Sequence, residues 1–297
     1  MLTALFVVAR IVANPVSNVF QKQLTQRAAN PLFIIGATDA ILAVAVLPLF
    51  LLGAVPLALA PGFWTNMAIC ATLAVASNVL LVYALQSADL SVLGPINAYK
   101  SVVSLVLGVF LLGEIPGPMG AGGVLLIVAG SYFVVDRDPT QPRSNALARF
   151  FRERGIQFRF AALAVSATEA IFLKKTLLLS SPVTTFVFWS ILGVPIAAAT
   201  MALLHRKRLG TEIVLFRLHW RTYAWLAVTT GIMQLTSLLT FAKVQVGYSL
   251  ALFQLSTLIS VFLGYRYFQE GQIRKRLLGS AIMAAGAVLI VLQGHSR

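Results

Sequence analysis

Hydrophobic and polar positions divide this chain into long apolar runs with short polar breaks between them. The runs fall near 2–23, 31–54, 63–85, 90–112, 117–136, 159–179, 183–204, 223–243, 248–268 and 276–293. Each approaches or exceeds the roughly 20 residues a helix needs to cross a bilayer. The breaks carry turn chemistry: Ala29-Asn30-Pro31, Ala60-Pro61-Gly62, Ile115-Pro116-Gly117 and Ser180-Ser181-Pro182. No run alternates with period two, which excludes an outer-membrane barrel. The pattern predicts an all-α polytopic membrane protein with ten transmembrane helices.

The pattern also repeats. Glu114, Gly123 and Gly130 recur as Glu270, Gly279 and Gly286, an offset of 270 − 114 = 156. At the same offset Ser104, Leu107 and Gly108 match Ser260, Leu263 and Gly264, while Ala129 and Val135 match Ala285 and Val291. Five spans are an odd number, so the second copy enters the membrane from the opposite side. The expected organisation is a first five-helix repeat over 1–136, a basic connecting loop over 137–158 and a second repeat over 159–297. Inverted repeats are the architecture of alternating access.

Composition narrows the class without changing it. Of 297 residues 59% are hydrophobic and 11% charged, against about half and about a quarter in soluble domains. The N-terminus lacks a basic leader pattern, so Met1 onward reads as the first span. A net charge of +14 would suggest nucleic acid in a soluble chain; here it reads as contact with anionic lipids. The segments Leu147–Arg152 and His205–Tyr223 mix apolar and basic residues, which suits membrane-surface helices. Seventeen basic residues, among them Lys22, Arg159, Arg206–Arg208 and Arg276, fall in connections on one side. The positive-inside bias then places both termini outside a multi-pass inner (plasma) membrane protein. Cys70 forms no intrachain disulfide, and His205, His219 and His295 fall in loops or the tail. No metal or other cofactor is expected, and no GxxxxGK[ST] run suggests ATP drive.

Candidate chemistry lies at bilayer depth, where a charge costs several kcal/mol unless paired or wetted. Arg10, Asp39, Lys100 and Glu169 fall mid-span, and their signs cancel. Arg10, Asn14, Ser17, Asn18 and Gln21 step by three or four along one helix face; Asn97, Lys100, Ser101 and Ser104 form a second stripe. Asn78, Gln234 and Ser256, the repeat partner of Lys100, complete the expected substrate-binding set. Asp39 is a candidate proton-coupling carboxylate. Pro15 and Pro95 adjoin the stripes and suggest a broken helix there. Glu114 and Glu270 read as solvated boundary markers. The glycines of the fifth and tenth spans suit helix packing or a homodimer.

The motifs Leu111-Leu112-Gly113-Glu114 and Tyr267-Phe268-Gln269-Glu270 with their following glycines, and Asn18–Leu24 with its counterpart Ile171–Lys175, resemble the drug/metabolite transporter superfamily, in its EamA-type ten-helix branch. The resemblance implies a central cavity lined by spans 1–4 and 6–9, with the fifth and tenth peripheral. Lys100 also resembles a fourth-span lysine of nucleotide-sugar and triose-phosphate translocators, which hints at an anionic substrate. Family members are thought to keep both termini in the cytoplasm, against the charge bias. The expected function is secondary transport of a small polar or amphipathic metabolite, amino-acid-like or anionic, and not enzymatic catalysis. The alternative is a flippase for a lipid or lipid-linked sugar.

Overall fold

The computed structural model describes residues 2–100, 102–103, 117–134, 151–244, 249 and 252–293. Ser104, Glu114 and most of the 137–158 loop lie outside them. Every element among the described residues is helical. They run α1 Leu2–Gln26, α2 Pro31–Leu51, α3 Phe63–Ser87, α4 Leu90–Ile96, α5 Pro118–Val134 and α6 Arg154–Leu178. They continue with α7 Pro182–Leu204, a 3-10 turn Arg206–Arg208, α8 Leu209–Leu218, α9 Trp220–Lys243, α10 Ser256–Phe268 and α11 Ile273–Gln293. Six helices (α1, α2, α3, α6, α7 and α9) are long and apolar enough to cross a membrane, and Pro118–Ser131 makes a shorter apolar helix.

Local chemistry sets the helix starts. Asn30 caps α2 by accepting the Leu32 N–H at 2.9 Å, with Pro31 in the first turn. Ser181 caps α7 through the Thr184 N–H at 3.1 Å, with Pro182 following. Both are side-chain acceptors for otherwise orphaned donors, followed by a proline whose missing N–H costs nothing there.

Two predicted spans are not continuous helices. The fourth ends at Ile96, turns at Asn97 and Ala98, and resumes at Tyr99. The ninth turns at Gln254 and Leu255 before α10 starts. Pro95 marks the first break as expected, whereas α1 passes through Pro15 uninterrupted.

Helices from the two halves of the chain pair with one another. α1 packs chiefly on α9, α3 on α6, α2 on α7, α4 on α10 and α5 on α11. The last pair explains the repeated glycines. A Cβ at Gly123 would lie 2.6 Å from the Gly286 carbonyl oxygen, and one at Gly279 would lie 2.6 Å from that of Gly130. The backbones touch where small residues allow it. These small faces are used within the chain, which leaves outer residues such as Leu125 and Leu278 exposed.

The fold corrects the charge census. Lys22, Arg159 and Arg276, assigned by hydropathy to loops on one side, are buried inside the protein. Glu270 is buried too, rather than solvated.

Candidate functional site

A cavity of about 140 Å³ lies inside the bundle, and its lining is mostly polar. Of the sequence-predicted residues, Arg10, Asn14, Asn18, Asn78, Asn97, Lys100, Glu169 and Gln234 line it together. They come from α1, α3, the break after α4, α6 and α9, so the stripes seen at helical spacing do face one another. Ser104 lies outside the described residues. Asp39 and Ser256 do not line this cavity. Asp39 is buried against α7, where a Cβ on Gly193 would run into its carboxylate. Ser256 is buried at the start of α10, its carbonyl accepting the Ser260 hydroxyl at 3.1 Å.

Arg159 is the residue the sequence reading missed. It enters the cavity from the first turns of α6, 8% exposed. The broken helix gives it a partner. Because the chain turns at Asn97, the Asn97 N–H bonds the Gly94 carbonyl at 3.0 Å instead of continuing the helical ladder to Leu93. Arg159 Nε donates to the released Leu93 carbonyl at 3.1 Å, and Nη2 donates to Asn97 Oδ1 at 3.0 Å. One guanidinium fork thus satisfies the helix break and holds a positive charge at the cavity wall. The signal was present in the sequence: Arg159, Ala162, Ser166, Glu169 and Leu173 step by three or four and all line the cavity.

The other charges are arranged around it. Arg10 Nε donates to Ser237 Oγ at 2.7 Å, and its guanidinium lies 4.9 Å over the Phe253 ring. Glu169 lies in the same lining as Lys100 and Arg10 and interacts with both charges. With Asp39 elsewhere and Arg159 included, the described lining holds three cations (Arg10, Lys100, Arg159) and one carboxylate, Glu169. The expected cancellation of signs is replaced by an excess of positive charge.

Several donors of this lining have no partner among the described residues. Arg10 Nη1, Trp189 Nε1 and Gln234 Nε2 are buried and make no hydrogen bond. The guanidinium and the indole can only donate. A buried donor without an acceptor costs about 1–3 kcal/mol.

One helical turn beyond Asn18 the character changes. Lys22 Nζ lies 2.9 Å from Glu270 Oε1, donates to the Ala88 carbonyl at 3.0 Å, and sits 4.9 Å over the Phe268 ring. Glu270 also accepts the N–H groups of Leu90 and Ser91, each at 2.8 Å. Arg276 bridges Asp89 at 3.0 Å, reaches within 3.7 Å of Glu270, and bonds the Ser91 hydroxyl. Gln269, in the left-handed region at φ 54°, turns the chain so that Glu270 packs under Gly264, where any side chain would strike it. Burial alone would raise the Glu270 pKa. The Lys22 ammonium and the Ser91 hydrogen bonds outweigh it and hold the carboxyl below its ordinary value. This ion-pair latch joins α1, α4, the α10–α11 turn and α11.

Residues 1–136, a little under half of the chain, match the model of the EamA-like transporter family. No curated protein matches the sequence. The fold is similar to that of a solved crystal structure, titled only as a protein, at 14% identity and a TM-score of 0.60, covering 96% of each chain. At that identity the likeness speaks for the fold alone. With six helices long and apolar enough to cross a bilayer, the chain is a multi-pass membrane protein.

Proposed function

We propose that this protein is a secondary transporter that moves a small anionic or zwitterionic metabolite across the cytoplasmic membrane by alternating access. The observation that carries this reading is the set of buried, donor-only groups, Arg10 Nη1 and Trp189 Nε1, facing a cavity whose cations outnumber its acid. A carboxylate or phosphate offers acceptor oxygens and negative charge together, so it would satisfy both at once. Glu169 opposes Lys100 and Arg10, and it exchanges these partners with the entering ligand; an amino-acid-like ammonium would be held by Glu169 itself.

The architecture we propose is ten spans in two inverted five-helix repeats, 1–136 and 159–297, joined by the basic loop. The pairing of helices supports it. Exchanging each first-half span for its second-half counterpart turns the α1–α9 contact into the α3–α6 contact and leaves the α2–α7, α4–α10 and α5–α11 pairs in place. The breaks at 97–98 and 254–255 fall at equivalent places. In alternating access the latch of Lys22, Glu270, Arg276 and Asp89 closes one end of the cavity and opens when the halves rock.

The decisive experiment is a thermal-shift screen of purified protein against small carboxylates, phosphates, amino acids, sugars and organic cations. An anion or zwitterion stabilises the wild type, and Lys100→Ala abolishes that shift while its ligand-free melting stays near wild type. Stabilisation by organic cations or neutral sugars, with anions inert, overturns the assignment.

A further inference from the structure

A second hollow, unconnected with the polar cavity, opens between α2, α7 and α8. Its volume is about 640 Å³, and its lining is almost wholly apolar: Phe33, Ala40 and Val44 from α2, Ala198 from α7, Leu209 and Phe216 from α8, with small residues between them. That lies within the roughly 300–1,000 Å³ of sites that enclose drug-sized ligands. It shares no lining residue with the polar cavity.

The rim of this hollow is basic. Leu209 and Phe216 line it, and their chain neighbours Arg208 and Arg217 are exposed, together with Arg206 and Lys207 of the 3-10 turn. The one acid of α8, Glu212, is buried, and its carboxylate accepts the Asn30 N–H at 3.1 Å. That bond fixes α8 to the start of α2 and so holds the rim in place. The outer face of α8 exposes Ile213, Val214 and Leu218, as expected of a helix lying in the head-group layer.

We propose that this groove is a binding site for one anionic phospholipid, with an acyl chain lying along α2 and α7 and the phosphate held by the Arg206–Arg208 turn. The charge complementarity selects the head group, and the apolar lining selects the chain. A soluble anion would lack the second contact, and a zwitterionic lipid would gain little from the first. Because no residue connects groove and cavity, the lipid is a resident ligand rather than the transported one.

The test uses native mass spectrometry and melting of the full-length protein in neutral detergent, titrated with phosphatidylglycerol or phosphatidylcholine of identical chains. Wild type retains one phosphatidylglycerol and melts several degrees higher with it, by more than with phosphatidylcholine. Ala198→Trp, at an exposed groove position, removes the retained lipid. The combined Arg206→Gln, Lys207→Gln and Arg208→Gln variant, altered only at exposed residues, weakens phosphatidylglycerol binding by about tenfold or more and leaves phosphatidylcholine binding unchanged. Equal effects of the two lipids on the wild type, or an unchanged phosphatidylglycerol response in both variants, overturns the proposal.

Discussion

Two clusters of buried charge lie along α1, with Arg10 of the cavity 22 − 10 = 12 residues, about 18 Å, before Lys22 of the latch, and they are finished differently. In the latch, Lys22 and Glu270 meet each other, backbone groups and neighbouring charges, and Arg276 reaches Asp89, Ser91 and Glu270. In the cavity, Arg10 and Trp189 keep donors with nothing to bond. α1 and the chain around α4 contribute to both, while the latch adds the α10–α11 turn and α11 and the cavity adds α3, α6, α7 and α9. Buried polar groups complete their bonds unless something else is meant to complete them. In the proposed transport cycle the latch holds the closed form together, and the cavity receives the ligand.

The largest expected effect breaks the latch. Glu270→Ala leaves Lys22 and Arg276 buried without their shared carboxylate, and loss of one partner from such a pair costs about 3–5 kcal/mol. Melting in detergent falls by many degrees. A change of a degree or two would mean the latch is not a closing element. Its pH dependence has a fixed sign. The Glu270 pKa is depressed on folding, so its contribution is complete at neutral pH and disappears as pH falls through the carboxylate range, below about 4.3. The acid loss of melting temperature should shrink in Glu270→Gln.

Next in size comes the cavity. Arg10→Gln removes a charge and a donor but fills nothing new. Anion affinity should drop by about 1.5–3 kcal/mol, the range for a hydrogen bond to a charged group, or roughly 10- to 150-fold. Ligand-free melting should hardly move, since the latch is untouched. If melting falls as it does for Glu270→Ala, Arg10 belongs with the structural charges. Arg159→Lys should be smaller again. Lysine keeps the charge but lacks the planar fork that reaches both Leu93 and Asn97, so one bond of about 1 kcal/mol is lost. Ligand affinity should stay within a few-fold while stability declines slightly.

How much of this was legible follows from which signals are local. Apart from the fourth and ninth, which the structure breaks, the apolar runs predicted helices within a few residues, because span length and turn chemistry are properties of the chain itself. The stripe Arg10, Asn14, Asn18 on α1 and the polar face around Asn97 and Lys100 predicted the cavity, since helical spacing alone puts those residues on one side. Arg159 was lost because hydropathy counts a cation beside a basic loop as loop. Only the Leu93 carbonyl released by the break at Asn97 shows why it turns inward. Glu270 was misread for a related reason: its partners Lys22 and Arg276 are distant in sequence, and nothing in its own neighbourhood records them. Asp39 stood out as a mid-span acid, but its depth did not reveal that it faces Gly193 on α7 rather than the cavity.

The smallest effect separates the two roles most finely. Trp189 is 4% exposed and packs in an apolar cluster with Phe188 and Leu173, so by its surroundings it is a core residue. Its indole N–H nevertheless lines the cavity without a partner. Trp189→Phe keeps a large aromatic ring and deletes only that donor along with part of the ring volume. If the N–H serves the ligand, affinity falls by about 0.5–1.5 kcal/mol, the net value of one hydrogen bond, which is roughly two- to twelvefold. Ligand-free stability responds in the opposite sense or not at all, because removal of an unpaired buried donor offsets the lost packing. A purely structural tryptophan would show both quantities falling together. The sign of the melting change, measured beside the dissociation constant, therefore decides whether Trp189 belongs to the apolar core alone or to the site as well.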